Sequence, residues 1–341
     1  MTVSIVGFDI AKNVFQVHAI AEDGSVVARQ KLRRGRVLPF FSKLDPCLIG
    51  IEACASAHHW ARELIALGHD VRLIPASYVR PYVKRQKNDA ADAEAICEAL
   101  TRPSMRFVPV KSPDQQSVLV LHRTRDLLVR QRTSLINALR GHLAEFGIIA
   151  PVGAKRLPEL LTELGAREGS VPDLLLDAVA VLVRQLGEVV DRIREVEAKI
   201  AAWARTDENA RLLATIPGIG PITSSAIAAT VTDVGHFRSG RHFAAWLGLV
   251  PRQNSSGGKD RLGGITKKGD KYLRRLLVVG ATTVIQYARQ RGGKRREWAI
   301  GLLDRRPTRV VHVALANKMA RMAWAMMVRK EPYREGLSGA V

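Results

Sequence analysis

Four carboxylates are spaced as a divalent-metal site would need them. Asp9 closes the apolar run in VGFDIAK and Glu52 closes the one in LIGIEA, each the lone charge of its run. Asp89 and Asp92 stand three apart in KNDAADAEAI, so both point from one face of a helix start. Hard oxygen donors of this kind suit Mg²⁺ or Mn²⁺, and such ions can clamp the attacking and leaving oxygens of a phosphodiester. Taken alone, Asp89 and Asp92 also fit helix-start acids favoured by the macrodipole. Asp9 and Glu52 are harder to read that way, because an unpaired carboxylate in a buried run is costly. A second constellation is NSSGGKDRLGGITKKGD, residues 254–270. Ser255 and Ser256 stand there beside Gly257, among Lys259, Arg261, Lys267 and Lys268. A serine attacks only when activated. The surrounding cations can stabilise charge on a phosphate in the transition state or simply hold a bound strand.

These residues must be carried by ordered elements. VSIVGFDI, FQVHAIA, VVARQKL, CLIGIEA and DVRLIPA read as strands, while HHWARELIALG, YVRPYVKRQ and DAADAEAICEALTR read as helices, so residues 1–110 form an α/β domain. Residues 111–208 read as long helices. The first, over 114–146, is closed by Gly147 and followed by breaks at Pro151, Gly153 and Pro158. In the second, Leu182, Leu186, Val189, Ile193, Val196, Ile200 and Trp203 recur in steps of four and three, the seam of a coiled coil. That seam can close within one chain or across a dimer. Residues 209–341 read as a compact helical domain with a basic loop at 251–271 and a closing amphipathic helix. Its IPGIGP string, with Gly218 and Gly220, resembles a helix-hairpin-helix, in which backbone N–H groups meet a nucleic-acid phosphate; an ordinary glycine turn is the plainer alternative.

Composition narrows the function. At 341 residues the chain is expected to hold two or three domains. The net charge of +21 is unevenly spread: +4 over 1–110, zero over 111–210 and +17 over 211–341. The last third therefore reads as a cationic module for a polyphosphate partner, with Arg252, Lys259, Arg261, Lys267, Lys268, Arg274 and Arg275 as candidate contacts. Mean hydropathy is −0.02 and no apolar stretch is long enough for a membrane span. The start MTVSIVGFDI does not read as a signal peptide. Cys47, Cys54 and Cys97, without CxxC spacing, suit a reducing cytoplasm. GFDIAK is also similar to the first phosphate loop of actin-like sugar kinases, but the second glycine-rich loop and adenosine motif they need are missing from residues 50–110.

In order and separation, GFDIAK, GIEA, KNDAADAEAI, IPGIGP, AAWLGLVPRQNSSGGKDRLGGITKKGDKYLRRLL and ANKMARMAWAM resemble the DEDD-type transposases of the IS110 insertion-sequence family over essentially the whole chain. The resemblance implies an RNase H-like domain similar to the RuvC resolvase, a coiled-coil stalk and a helical transposase domain. Carried over by motif, the tetrad is Asp9, Glu52, Asp89 and Asp92, and the nucleophile directly before the first glycine of the loop is Ser256, with Ser255 its neighbour. Where the family often has Thr-Gly after Glu-Ala, this chain has Cys54 and Ala55. The resemblance further implies DNA cut and rejoined through a phosphoserine, a structured guide RNA encoded by the element, and a homodimer or homotetramer in which the two sites meet from different subunits. The rival reading is a metal-dependent resolvase-like nuclease whose serine loop only binds phosphate. A third is a nucleic-acid-binding protein with an inactive acidic site.

Overall fold

The computed structural model describes residues 2–84, 89–167, 169–291 and 294–334. It divides into two compact units, Met1–Ser112 and Pro113–Val341.

The N-terminal unit is built on five strands: β1 Ile5–Asp9, β2 Val14–Ile20, β3 Val26–Arg33, β4 Leu48–Glu52 and β5 Asp70–Ile74. They order as β3-β2-β1-β4-β5. β1, β4 and β5 run parallel, while β2 pairs antiparallel with both β1 and β3. The chain thus builds outward on one side of β1, then crosses to build on the other. In an open α/β sheet, the crevice at such a switch is where ligands bind, beyond the carboxyl ends of the strands. Val6, Phe8, Ile49 and Ile51 are wholly buried, as expected for central strands covered on both faces. β3 is the exposed edge, and its Arg29, Lys31 and Arg33 discourage pairing with another sheet. The helices of this unit are α1 Val37–Phe41, α2 Ala57–Ala66, α3 Ala76–Val79 and α4 Asp89–Leu100.

The expected helix over YVRPYVKRQ is reduced to α3 and a 3-10 turn, Arg80–Tyr82. Pro81 lacks the N–H that a continuing helix would need. Arg85 and Gln86 of that stretch lie outside the described residues.

The C-terminal unit opens with α5 Pro113–Ala144, α6 Leu157–Gly165 and α7 Asp173–Thr206. Pro158, read from sequence as a break, instead occupies the first turn of α6, where a missing N–H costs nothing. The indole of Trp203 donates to Asp114 at 3.1 Å and Arg125 pairs with Glu197 at 2.7 Å, so α5 and α7 run antiparallel. The heptad seam closes on α5 of the same chain: Val189, Ile193, Val196 and Ile200 bury with Leu128. Those apolar residues are therefore satisfied without a second subunit.

Beyond them come α8 Glu208–Leu213, α9 Pro221–Thr230, α10 Gly240–Trp246, the strands β6 Pro251–Gln253 and β7 Leu262–Ile265, α11 Lys271–Arg291, α12 Lys294–Leu303 and α13 Thr308–Arg329. Their shared core includes Ile216, Ile227, Phe243, Leu277, Val311 and Met319. The basic stretch expected to be loop contains the β6–β7 hairpin. No helix among the described residues is long and apolar enough to cross a membrane.

Candidate active site

Asp9 and Glu52 are the last residues of β1 and β4. These strands pair in parallel through Phe8 and Ile51, so the two acids stand side by side one residue further on. Neighbouring strands lie about 4.8 Å apart, and residues at matching register point to the same face. That face is the one α4 covers. A Cβ built on Gly7, two residues before Asp9, would lie 2.0 Å from the Ala93 carbonyl oxygen. One built on Gly50, two before Glu52, would meet Ile96 at 3.0 Å. Only glycine at position 7 lets the α4 backbone approach this closely. Asp92 directly precedes Ala93 in the first turns of that helix.

The thiol of Cys54 stands near both carboxylates. Partial desolvation pushes its pKa up, and the negative charges of Glu52 and then Asp9 push it further. Cys54 is exposed as a residue, but its sulfur is crowded enough to feel both acids. Asp9 and Glu52 are themselves half-buried. Among the described residues, no three His, Cys, Asp or Glu side chains group closely enough to hold a metal ion. The backbone of Asp89 starts α4, but its side chain lies outside the described residues. The side-by-side Asp9 and Glu52 nevertheless match a Mg²⁺-type ion, which takes one or two protein carboxylates and completes its shell with water and substrate phosphate.

The C-terminal unit distinguishes the two serines. The Ser255 hydroxyl donates to Asp260 Oδ1 at 3.0 Å and accepts from Gln253 Nε2 at 3.1 Å and from the Arg261 amide at 3.2 Å. It is the polar clasp of the β6–β7 hairpin. Ser256 begins the turn at the tip, where the Lys259 amide donates to its carbonyl at 3.1 Å. Gly257 and Gly258 fill the two central turn positions with φ of +56° and +73°, the mirror-image turn that suits a hairpin. The Ser256 side chain is exposed, and its hydroxyl makes no hydrogen bond among the described residues.

The candidate cations divide in the same way. Arg252, Lys259, Arg261, Lys267 and Lys268 are exposed on or beside the hairpin. Arg274 is a backbone clamp, donating to the carbonyls of Leu247 at 2.8 Å and Lys268 at 3.1 Å. Arg275 pairs with Asp126 and lies over the Tyr272 ring. Gly218 is a packing glycine: a Cβ there would lie 2.8 Å from the Gly280 carbonyl on α11. Gly220 is open and caps α9. The turn between α8 and α9 is thus pressed on α11 through Gly218, while Gly220 leaves its outer side accessible.

Sequence reasoning missed one buried polar group. His122 on α5 is hydrogen-bonded to Tyr272 Oη at 3.0 Å and Ser225 Oγ at 3.1 Å. Burial, reinforced by Arg125, lowers its pKa to about 4, so the ring stays neutral. Burial also raises the Tyr272 phenol, though Arg125 and Arg275 oppose that shift. The network ties α5 and α9 to the first turn of α11, directly after the serine hairpin. Its partners are 103 and 150 residues away, beyond any local sequence signal.

Two family models match separate stretches of the chain. A DEDD-type model described as "Transposase" matches residues 6–148, and one described as "Transposase IS116/IS110/IS902 family" matches residues 210–295. The chain is 50% identical to a "Probable family 20 transposase" of Pseudomonas aeruginosa, over 98% of this chain and 100% of the relative. It is 43% identical to the "Transposase for insertion sequence element IS1328" of Yersinia enterocolitica, over 95% and 96% of the two chains. Against the "Transposase for insertion sequence element IS1111A" of Coxiella burnetii, identity is 39% over 98% and 92%.

Proposed function

Because this chain belongs to the IS116/IS110/IS902 family of insertion-sequence transposases, we propose that it cuts and rejoins DNA with two chemically distinct sites. The N-terminal site comprises Asp9 and Glu52 at the strand ends of an RNase H-like sheet, with Asp89 and Asp92 on α4. The strand order and the antiparallel β2 support that description. The C-terminal site is Ser256. The observation that carries the serine reading is the contrast at the hairpin tip: Ser255 is spent on three hydrogen bonds, and the Ser256 hydroxyl on none among the described residues.

In this reaction Ser256 Oγ forms a bond to phosphorus as the bond from phosphorus to the leaving sugar oxygen breaks. The hydroxyl proton is released, and the sugar oxygen takes one up. The resulting phosphoserine keeps a phosphodiester, so a second sugar hydroxyl can reverse the exchange and rejoin DNA without outside energy. The exposed Arg252, Lys259, Arg261, Lys267 and Lys268 hold the phosphates and oppose the growing negative charge. A divalent ion held by Asp9 and Glu52, Mg²⁺ or Mn²⁺ by donor type, would supply Lewis-acid polarisation of the phosphodiester. The same reading extends to a structured guide RNA sharing the +17 surface and to a homodimer or homotetramer. In such an assembly the oligomer contacts lie outside the α5–α7 seam, which is filled within one chain.

The test is a denaturing gel of protein incubated with Mg²⁺, labelled junction DNA from its own element and the flanking transcript. A protein-linked DNA band that persists in Ser255→Ala and disappears in Ser256→Ala and Asp9→Asn is expected. Free nicked product without a linked band in the wild type and both serine variants would refute the phosphoserine and leave the acidic site acting as a nuclease alone.

A further inference from the structure

A cleft of about 330 Å³ opens between α12, α13 and the segment that follows α13, well separated in sequence from the serine hairpin. The outer wall of this cleft is firmly held. Lys330 ends α13 in the left-handed conformation, with φ of +56°, and turns the chain back on itself. Its ammonium donates to Asn209 at 2.7 Å, and the Tyr333 amide donates to Thr215 Oγ1 at 3.1 Å. The returning segment is thereby fastened to α8 and to the turn that follows it.

The lining combines two chemistries. Trp298, Tyr333 and Met322 offer aromatic and polarisable surface, while Lys318, Arg321 and Arg329 offer positive charge and Glu331 is the lone acid. Lys318 Nζ lies 4.8 Å from the centre of the Trp298 ring, yet the indole stays 41% exposed. The volume is too small for a duplex and lies within the range of small-ligand sites. An exposed indole beside guanidinium groups is the pairing that proteins use on single strands: the ring stacks on a base, and the cations meet its phosphate. An acidic peptide would meet the cations but offers no base to stack on the exposed indole.

We propose that this cleft binds one unpaired nucleotide of the nucleic acid the protein handles, stacking its base on Trp298 and placing its phosphate by Arg321 and Arg329. The assignment rests on the reading of this chain as a nucleic-acid enzyme. It adds a contact that the serine and acidic sites do not require.

The test uses the full chain and three probes: short oligouridylate, short oligothymidylate and an abasic sugar-phosphate polymer of the same length. Trp298→Ala is expected to weaken binding of both base-bearing probes by about 5- to 150-fold, the range for loss of one stacked base, and to leave the abasic probe unchanged. Trp298→Phe restores most of the loss. Arg329→Gln weakens all three probes alike and lowers the salt dependence by about one phosphate contact. The stronger of the two base-bearing probes identifies the source strand as RNA or DNA. Unchanged binding by Trp298→Ala, or an equal loss on the abasic probe, overturns the assignment. So does competition by polyglutamate that Trp298→Ala leaves intact. If the wild-type chain binds none of the three probes, the nucleic-acid reading falls with it. If it binds all three and Trp298→Ala changes nothing, only the cleft assignment falls.

Discussion

Replacing Gly7 with alanine tests whether the close approach of α4 to β1 matters to the proposed acidic site. The added Cβ would lie 2.0 Å from the Ala93 carbonyl oxygen and 2.8 Å from the Cys97 amide nitrogen, where real contacts essentially never fall below 3.0 Å. Both atoms are helix backbone, so no side chain can swing aside. Relief requires α4 to retreat from β1 by about 1 Å at Ala93. Asp92 is the preceding residue and moves with it, while Asp9 and Glu52 stay fixed in the sheet. A misplacement of about 1 Å at a reacting constellation costs about 100-fold in rate, and overpacking of this kind costs about 1–3 kcal/mol of stability. The assay is the initial rate of Mg²⁺-dependent strand cleavage, measured well below the melting temperature of the variant. Gly50→Ala serves as the control, since its Cβ meets only the side chains of Ile96 and Leu100, at 3.0 and 3.1 Å, and those can shift. A Gly7→Ala protein that cleaves at the wild-type rate would refute the argument that α4 positions the acids. Equal losses in both variants would refute the distinction between backbone and side-chain crowding.

Two further outcomes follow from the C-terminal unit. His122 has a folded pKa of about 4 against an ordinary 6.5, so the unfolded chain takes up its proton first as pH falls. Its contribution is fully present above pH 6.5 and is lost on descending to about pH 4, a decline of about 3 kcal/mol. Urea midpoints across that window should show this decline in the wild type and a shallower one in His122→Gln. On the DNA-binding side, changing Arg252, Lys259, Arg261, Lys267 or Lys268 to glutamine should each lower the slope of log affinity against log salt by about 1. Arg274→Gln should leave that slope alone and cost about 1–3 kcal/mol of folding stability, because two carbonyls lose their donor. A reduced salt slope in Arg274→Gln would show that the clamp also meets phosphate.

What was legible in the sequence followed from locality. Asp9 and Glu52 could be picked out because a charge closing an apolar strand is costly and visible within a few residues. Their adjacency needed the pairing of β1 with β4, and nothing in either segment declares that register. The heptad steps of α7 identified a seam, but its partner is settled only by contacts such as Trp203 with Asp114, 89 residues apart. The β6–β7 hairpin escaped notice because its residues are basic and glycine-rich, without the alternation of a half-buried strand. Pro158 misled for a different reason: the ring that ends one helix is well tolerated in the first turn of the next. The two adjacent serines are chemically identical in sequence, and only the hydrogen bonds to Asp260, Gln253 and Arg261 separate them.

The hairpin that bears Ser256 buries almost nothing. Every residue of β6 is exposed, and of β7 only Ile265 is even half-covered. A two-stranded ribbon without an apolar face is marginally stable in water. Fixing each backbone residue costs about 1–2 kcal/mol in lost freedom, and under the proposed function the phosphates of a bound strand would supply the compensating attraction. If Ser256 is the nucleophile proposed above, its hydroxyl would gain its exact position only with the substrate bound. On that reading the looseness would act as a safety catch: competence to cut would arrive together with the DNA to be cut.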